Sequence, residues 1–238
     1  MNIALIGYGK MGHAIEQIAL QNGHEVVLKI TIDNTEEMTQ ENLAKADVGI
    51  EFTGPESAVD NLKKCFEAGV PVVCGSTGWL GKWEEIKNYC NEKQGALVYA
   101  SNYSIGVNLF FELNSYLAKL MNDYDMYDIK MEEIHHTQKK DAPSGTAITL
   151  AEQILSNIQR KKHWVNNSTD KSEEIEIISE RVDPAPGTHK IRYTSAIDNI
   201  EIIHTAHNRM GFAGGAVKAA EFIKGKKGIF TMKDVLGL

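Results

Sequence analysis

Apolar and polar positions follow one rhythm over the first hundred residues of this chain and another beyond them. Asn2 to Ile6 is a short apolar run that stops at glycine, with the length and flank of a buried strand. Met11 to Gln21 then places Ile15, Ile18 and Ala19 at helical spacing and closes on Asn22-Gly23. Glu25 to Ile32, rich in Val and Ile, predicts a second strand; Val48 to Phe52, Val70 to Cys74 and Ala96 to Ala100 predict three more. Helices are predicted between them over Ser57 to Ala68 and Lys82 to Glu92. Strands alternating with helices of this length imply βαβ units, a parallel sheet covered on both faces, and ligands bound outside the strands' carboxyl ends.

After about Ser104 the pattern changes. A helix over Val107 to Met121 leads to a strand over Tyr127 to His135, an unusual loop, and a helix over Ser144 to Gln159. Lys161 to Ser172 is polar and reads as an exposed loop. Three β-type runs follow, Ile175 to Arg181, Thr188 to Ser195 and Ile200 to Ala206, with Pro184-Ala185-Pro186-Gly187 as a turn between the first two. A last helix spans Gly214 to Ile223. The fold class is therefore α/β, a Rossmann-type parallel-sheet domain plus an α+β domain with a mixed, mostly antiparallel sheet. The expected boundaries are 1–104 with 213–238 returning to it, and 105–212.

Composition narrows the function classes. The chain has 238 residues, 42% of them hydrophobic, which is ample for a packed core. A net charge of -7 argues against nucleic-acid binding, and no apolar run approaches the ~20 residues of a membrane span. The N-terminus lacks the basic region of a signal peptide, and Cys65, Cys74 and Cys90 are odd in number with no metal-type spacing. Together these lead us to expect reduced thiols and a cytoplasmic protein.

Gly7-Tyr8-Gly9-Lys10-Met11-Gly12 fits the G-x-G-x-x-G pattern right after a predicted strand and at the start of a helix. The first glycine permits the tight turn, the second lets backbone approach a pyrophosphate, and the third allows close helix–strand packing. Asp33, 21 residues past Gly12, stands where an acid can bind the adenosine ribose, although Asp-Asn after a strand is also an ordinary turn. A carboxylate there favours NAD over NADP, while Lys10 and Lys29 offset it, so the choice between NADH and NADPH stays open. Gly75-Ser76-Thr77-Gly78 and Ala100-Ser101-Asn102-Tyr103 follow later strands, where small residues and an amide suit a nicotinamide ring.

The segment from Glu133 to Ala147 carries the chemistry. His135 and His136 are adjacent, Lys139 follows, and Pro143-Ser144-Gly145-Thr146 opens a helix whose apolar stripe begins at Ala147. Ser144 and Thr146 suit a helix cap, and free N–H groups in that first turn attract an anion such as a ligand carboxylate. His135 is suited to moving a proton near neutral pH, and Lys139 supplies positive charge or a proton. Adjacent histidines on a strand point to opposite faces, and spacing offers no third ligand, so no metal is expected.

This stretch resembles the E-x-H-H-x-x-K-x-D-A-P-S-G-T-A signature of the 4-hydroxy-tetrahydrodipicolinate (dihydrodipicolinate) reductase family, and the resemblance runs over nearly the whole chain. Gly75 to Gly78 is similar to that family's Gly-Thr-Thr-Gly, and Ala100 to Asn108 to its Asn-Phe/Tyr-Ser-x-Gly-Val-Asn run. Arg181, Gly187, His189, Glu201, His204, Arg209, Phe212, Gly215 and Ala216 fall on its later pattern. The resemblance implies NAD(P)H-dependent reduction of 4-hydroxy-tetrahydrodipicolinate in lysine and diaminopimelate biosynthesis. It implies His135 as acid/base, Lys139 as second proton donor, and His136, Ser144, Gly145 and Thr146 as binders of the substrate's carboxylates. Gly7, Tyr8, Gly9, Lys10, Met11, Gly12, Asp33, Gly75, Ser76, Thr77, Ala100, Ser101, Asn102 and Tyr103 become the cofactor site. It also implies that residues 105–212 bind substrate and build a homotetramer through their sheet. The glycine loop is one residue shorter than is common in that family, Lys10 replaces its Arg, and Gly211 replaces its Thr.

Two other readings compete. A semialdehyde-type oxidoreductase needs a catalytic cysteine, and the three cysteines all lie in the first domain with no histidine near them in sequence. A sensor that binds NAD(H) without turnover offers no reason for His135, Lys139 and an anion-binding turn together.

Overall fold

A computed structural model describes residues 1–238 and resolves two compact units, one formed by Met1–Ile105 and Arg209–Leu238, the other by Gly106–Asn208. In chain order the first unit begins β1 (Asn2–Ile6), α1 (Lys10–Gln21), β2 (Glu25–Ile30), α2 (Gln40–Leu43) and β3 (Val48–Glu51). It continues α3 (Pro55–Glu67), β4 (Val72–Cys74), α4 (Trp83–Glu92) and β5 (Ala96–Tyr99). The second unit follows with α5 (Ile105–Met121), β6 (Asp128–His135), α6 (Gly145–Asn157), β7 (His163–Val165), β8 (Glu174–Arg181), β9 (Gly187–Thr194) and β10 (Asn199–Ala206). The chain closes with α7 (Met210–Ile223), β11 (Gly228–Phe230) and α8 (Met232–Leu236), which join the first unit.

The first sheet has six strands in the order β11-β5-β4-β3-β1-β2, every pairing parallel. Successive residues of β1 point to opposite faces, so Ala4 and Ile6 pack with Leu43, Leu62, Phe66 and Ile86 of α2, α3 and α4. Ile3 and Leu5 pack on the other side with Ile15 and Ala19 of α1 and with Ala216, Ala220 and Ile223 of α7. Helices thus cover both faces, as a parallel sheet requires. β2 is two residues shorter than the apolar run predicts. The Asn34 side chain accepts from the Thr31 backbone N–H at 2.6 Å and from its hydroxyl at 3.0 Å, bending the chain out of the sheet.

The second sheet is mixed, ordered β10-β9-β6-β8-β7. β9 runs antiparallel to both β6 and β10, whereas β8 is parallel to β6 and to β7. Two pairings of each kind arise because α6 carries the chain over the sheet between β6 and the parallel strands that follow. One face buries Ile129, Met131, Ile175, Ile177, Ile191 and Tyr193 against Phe110 of α5 and Leu150 and Ile154 of α6. β7 lies inside the stretch expected to be loop. It is three residues long, pairs only with β8, and sits beside the buried Lys161, whose ammonium donates to the Asp128 carboxylate at 2.8 Å and the Glu174 carbonyl at 2.7 Å.

α7 starts at Met210, four residues before the apolar pattern suggests, so Arg209–Phe212 pack with the first unit. Its seat depends on Gly215, where a Cβ would lie 1.7 Å from the Tyr103 carbonyl oxygen. Neighbouring Gly214 has nothing within 4 Å of that position. Gly215→Ala is therefore expected to cost on the order of 3 kcal/mol by overpacking. Gly214→Ala should gain about 0.5–1 kcal/mol from helix propensity. Chemical denaturation of the two single variants checks the opposite signs, and equal effects would refute this account of the contact.

Candidate active site

In the first unit the strand ends carry two adjoining clefts. Gly7 turns with φ of +96°, and a Cβ there would lie 2.1 Å from the Phe52 carbonyl oxygen. At Gly12 a Cβ would meet the Gly7 oxygen at 2.6 Å, so both positions are closed to any side chain. Gly9 is the opposite case, with open space around it. No side chain caps α1 and no acidic residue stands in its first turn, which leaves N–H groups and the positive helix end for an anion. These are the features a dinucleotide pyrophosphate needs, and the residues fit it.

A cleft of about 620 Å³ runs from this loop over Ile30, Thr31, Thr35 and Met38 to Ser57, Asn61 and Lys64. A second, of about 460 Å³, is walled by Gly9–Met11, Phe52–Pro55 and Gly75–Thr77. Tyr8 lines the first cleft, and its hydroxyl donates to Glu16, which also pairs with Lys29 at 2.6 Å. Lys29 is thus paired within the protein.

Three expected cofactor residues sit differently from the sequence reading. Asp33 is exposed in the turn after β2 and lines neither cleft; Thr31, Ile32 and Thr35 occupy the wall instead. Tyr103 is buried, and its hydroxyl donates to the carbonyls of Cys74 (2.7 Å) and Val98 (3.0 Å), so its side chain pins two strand ends rather than facing a ligand. The Ser76 side chain is likewise buried and donates to Glu51 at 3.0 Å. Ala100 and Asn102 are half-buried and Ser101 is exposed beyond β5, with the Asn102 side chain accepting from the Ser104 N–H at 2.8 Å.

In the second unit the carboxyl end of β6 meets the N-terminus of α6. Period-two alternation turns Glu133 and His135 inward, and His189 of β9 joins them from the neighbouring strand. The Glu133 side chain has no solvent exposure. It accepts from the Ser144 N–H with both oxygens at 3.1 Å and from Arg181 at 3.1 Å. His135 Nδ1 stands 3.4 Å from the same carboxylate without hydrogen-bond geometry, and its ring meets His189 edge-on at 5.1 Å. The side-chain Oγ of Ser144 accepts from the Ala147 N–H at 3.2 Å and lies 3.1 Å from His189 Nε2. A side chain at Gly187 would press to 3.0 Å from His135 Nε2.

Ser144 consequently has its polar atoms engaged inside the protein and acts here as a helix cap, whereas Gly145 is exposed at the open helix end. Lys139 reaches the Asp141 carboxylate at 2.8 and 2.9 Å, a half-exposed pair worth little against a bound anion. The Arg181 guanidinium also donates to the Asp141 carbonyl at 2.6 Å, tying the loop to the buried carboxylate. His136 is half-buried beyond the strand end, and its carbonyl accepts from the Lys139 N–H at 3.1 Å.

Burial sets the charge states. It pushes both imidazoles down, His135 below its ordinary value against the pull of Glu133, and His189 to about 3. Burial opposes the charge of Glu133 too, but hydrogen bonds from Ser144 and Ser179 and the neighbouring imidazole outweigh it and hold the carboxyl below the usual range. Glu133, His135 and His189 offer donor atoms within 4.8 Å of one another, a trio that sequence spacing did not suggest. The Arg181 guanidinium already supplies positive charge to that carboxylate.

Sequence reasoning passed over Glu133, Arg181 and His189 as site residues. The available signal was a polar side chain at an inward position of an alternating strand: His189 lies between buried Gly187 and buried Ile191.

Comparison with known proteins covers both units. A family model described as dihydrodipicolinate reductase, N-terminus, matches residues 1–103, and one described as dihydrodipicolinate reductase, C-terminus, matches residues 106–236. The chain belongs to the dihydrodipicolinate reductase family. A relative of that family, the 4-hydroxy-tetrahydrodipicolinate reductase of Christiangramia forsetii, is 50% identical over 99% of this chain and 98% of its own length. The Neisseria meningitidis enzyme of the same name is 36% identical over 94% of this chain and 84% of its own. Among solved structures, a dipicolinate-bound dihydrodipicolinate reductase from Paenisporosarcina shares the fold with a TM-score of 0.78 at 22% identity, each chain covered to 97%.

The depressed imidazoles make this reductase-family site a pH-dependent element of stability. A histidine whose folded pKa is lowered binds its proton in the unfolded chain first. Its stabilisation is therefore complete above about 6.5 and is lost as the pH falls toward the folded value, about 3 for His189. Between pH 6 and 5 the unfolding free energy should fall by about 1 kcal/mol less in His189→Asn than in the parent. Urea denaturation at the two pH values measures the difference, and identical slopes would mean His189 is protonated in the fold.

Proposed function

We propose that this chain reduces 4-hydroxy-tetrahydrodipicolinate with NADH or NADPH, in lysine and diaminopimelate biosynthesis. The observation that carries the reading is the match of both family models along the chain, joined to a relative 50% identical over 99% of it. The Gly7–Gly12 loop and the first turn of α1 would hold the pyrophosphate, and Thr31 with Thr35 would face the adenosine. Gly75–Thr77 and the backbone of Ala100–Asn102 would receive the nicotinamide end, with Tyr103 as their anchor. When bound, the reduced nicotinamide supplies a hydride.

The second unit supplies charge and a proton. Lys139, His136 and the helix end at Gly145–Thr146 bind a small dicarboxylate, a class supported by the dipicolinate held in the Paenisporosarcina relative. A dicarboxylate displaces Asp141 from Lys139, exchanging one weak exposed pair for contact with a doubly charged ligand. His135 is neutral at pH 7 in the free protein because burial disfavours its charge. A dianion beside it raises its pKa, so the imidazole takes up a proton as substrate arrives and holds it ready for the reduced carbon skeleton. Lys139 is the second donor. Arg181 and Glu133 keep the loop and the imidazole in place.

Residues 1–105 with 209–238 form the dinucleotide domain in this reading, and residues 106–208 the substrate and assembly domain. A homotetramer is supported by apolar surface that one unit leaves uncovered, Leu109, Leu113, Tyr116 and Leu120 along α5 and Ile203 on β10. Three free, buried cysteines suit the cytoplasm, and no helix is long and apolar enough to cross a membrane.

The test is an assay that generates the unstable substrate in place and follows loss of reduced-nicotinamide absorbance with NADH and NADPH in parallel. His135→Gln and Lys139→Ala are each expected to lower turnover by at least about two orders of magnitude. Near-parental rates in both would overturn the assignment of proton donors, and no oxidation by the parent protein would overturn the activity.

A further inference from the structure

The first unit buries a carboxylate for which the proposed reaction has no use. Glu51, the last residue of β3, is wholly excluded from solvent, and every group that meets its side chain is uncharged. Oε1 accepts from the Thr53 hydroxyl, from the Thr53 N–H at 3.0 Å and from the Ser76 hydroxyl at 3.0 Å. Oε2 accepts from the Cys74 thiol at 3.1 Å. Burial first, and then the neighbouring carboxylate, pushes the Cys74 thiol far up, so its hydrogen stays on sulfur as a donor.

This acceptor fixes the direction of every hydrogen bond around it. The Ser76 hydroxyl gives its proton to Glu51, so its oxygen is left to accept the Thr53 N–H at 2.8 Å, which ties the end of β3 to the end of β4. The Thr53 hydroxyl likewise donates inward, so its oxygen accepts from Ser57 at 2.9 Å and Asn61 at 3.2 Å. The Ser76 carbonyl is held in turn by the Trp79 indole N–H at 2.8 Å. Thr53–Gly54 and Gly75–Thr77 both line the 460 Å³ cleft. Glu51 itself does not line that cleft; it stands behind it and holds both lining segments.

We propose that Glu51 is a positioning residue for the nicotinamide half of the cofactor, acting through Thr53 and Ser76 without touching the ligand. This rests on the reading of the first unit as the NAD(P)H site. The physical reason is donor count. A glutamine at 51 has the same shape but replaces one acceptor oxygen by a donating amide. Either the Cys74 sulfur must turn round to accept or the amide opposes the Thr53 N–H, and the pattern of donors that orients Ser76 and Thr53 is lost in part. The wall then loses its fixed register while the Gly7–Gly12 loop keeps its own contacts.

The experiment is calorimetric titration of the intact chain with NADH, NADPH and ADP-ribose, which carries the adenosine and pyrophosphate but no nicotinamide. Glu51→Gln is expected to weaken both dinucleotides about tenfold and to leave ADP-ribose within about twofold. Ser76→Ala, which removes one anchor and leaves the buried acid in place, should show the same split and decides the matter if Glu51→Gln does not fold. Unchanged dinucleotide affinity, or an equal loss for ADP-ribose, would overturn the positioning role. Failure of the parent protein to bind any of the three would instead strike the reading of the unit as a cofactor site.

Discussion

Glu133 carries a carboxylate where no water reaches it, and a buried anion of that kind costs several kcal/mol unless its surroundings repay it. The repayment comes from two directions: the Ser144 N–H at the positive end of α6 and the Arg181 guanidinium. Each compensating group is thereby held in one place, and each belongs to a different element. Arg181 also grips the carbonyl of Asp141, so the loop carrying Lys139 is fastened to the strand carrying His135. Removing this one carboxylate would leave a guanidinium and a helix end without their counter-charge and free the loop that bears the proposed proton donors.

Much of this was legible in the chain and some was not, for identifiable reasons. Short apolar runs ending in glycine located β1, and the fingerprint placed the α1 turn, because both depend on neighbours in sequence. β2 was overestimated because Ile32 continues an apolar pattern that Asn34 overrides with two hydrogen bonds to Thr31. β7 is invisible to the pattern because one exposed and two half-exposed residues at a sheet edge carry almost no periodicity. β11 and α8 escaped for the same reason of length.

The site divides in the same way. His135, Lys139 and the α6 turn lie within one stretch of sequence, so they could be considered together as candidates. Arg181 and His189 arrive 46 and 54 residues after His135 on separate strands, and only the pairing of β6 with β8 and β9 brings them in. Asp33 and Tyr103 show the converse. Each occupies a motif position, yet a local turn exposes the first and core packing claims the second. A motif identifies which backbone will meet a ligand better than which side chain will.

A protein with a net charge of -7 that binds a dianionic substrate must reverse its own field locally. In the proposed reading the second unit would do this without placing positive charge in excess. Arg181 is matched by Glu133 and Lys139 by Asp141, so the resting site is close to neutral. The two pairs differ in what they do when an anion arrives. In the proposed reading Glu133, buried and triply bonded, keeps Arg181 in place, whereas Asp141, exposed and singly paired, would yield Lys139 to the ligand. Burial of the partner carboxylate, more than the number of charges, would then decide which cation is structural and which is free to meet the ligand.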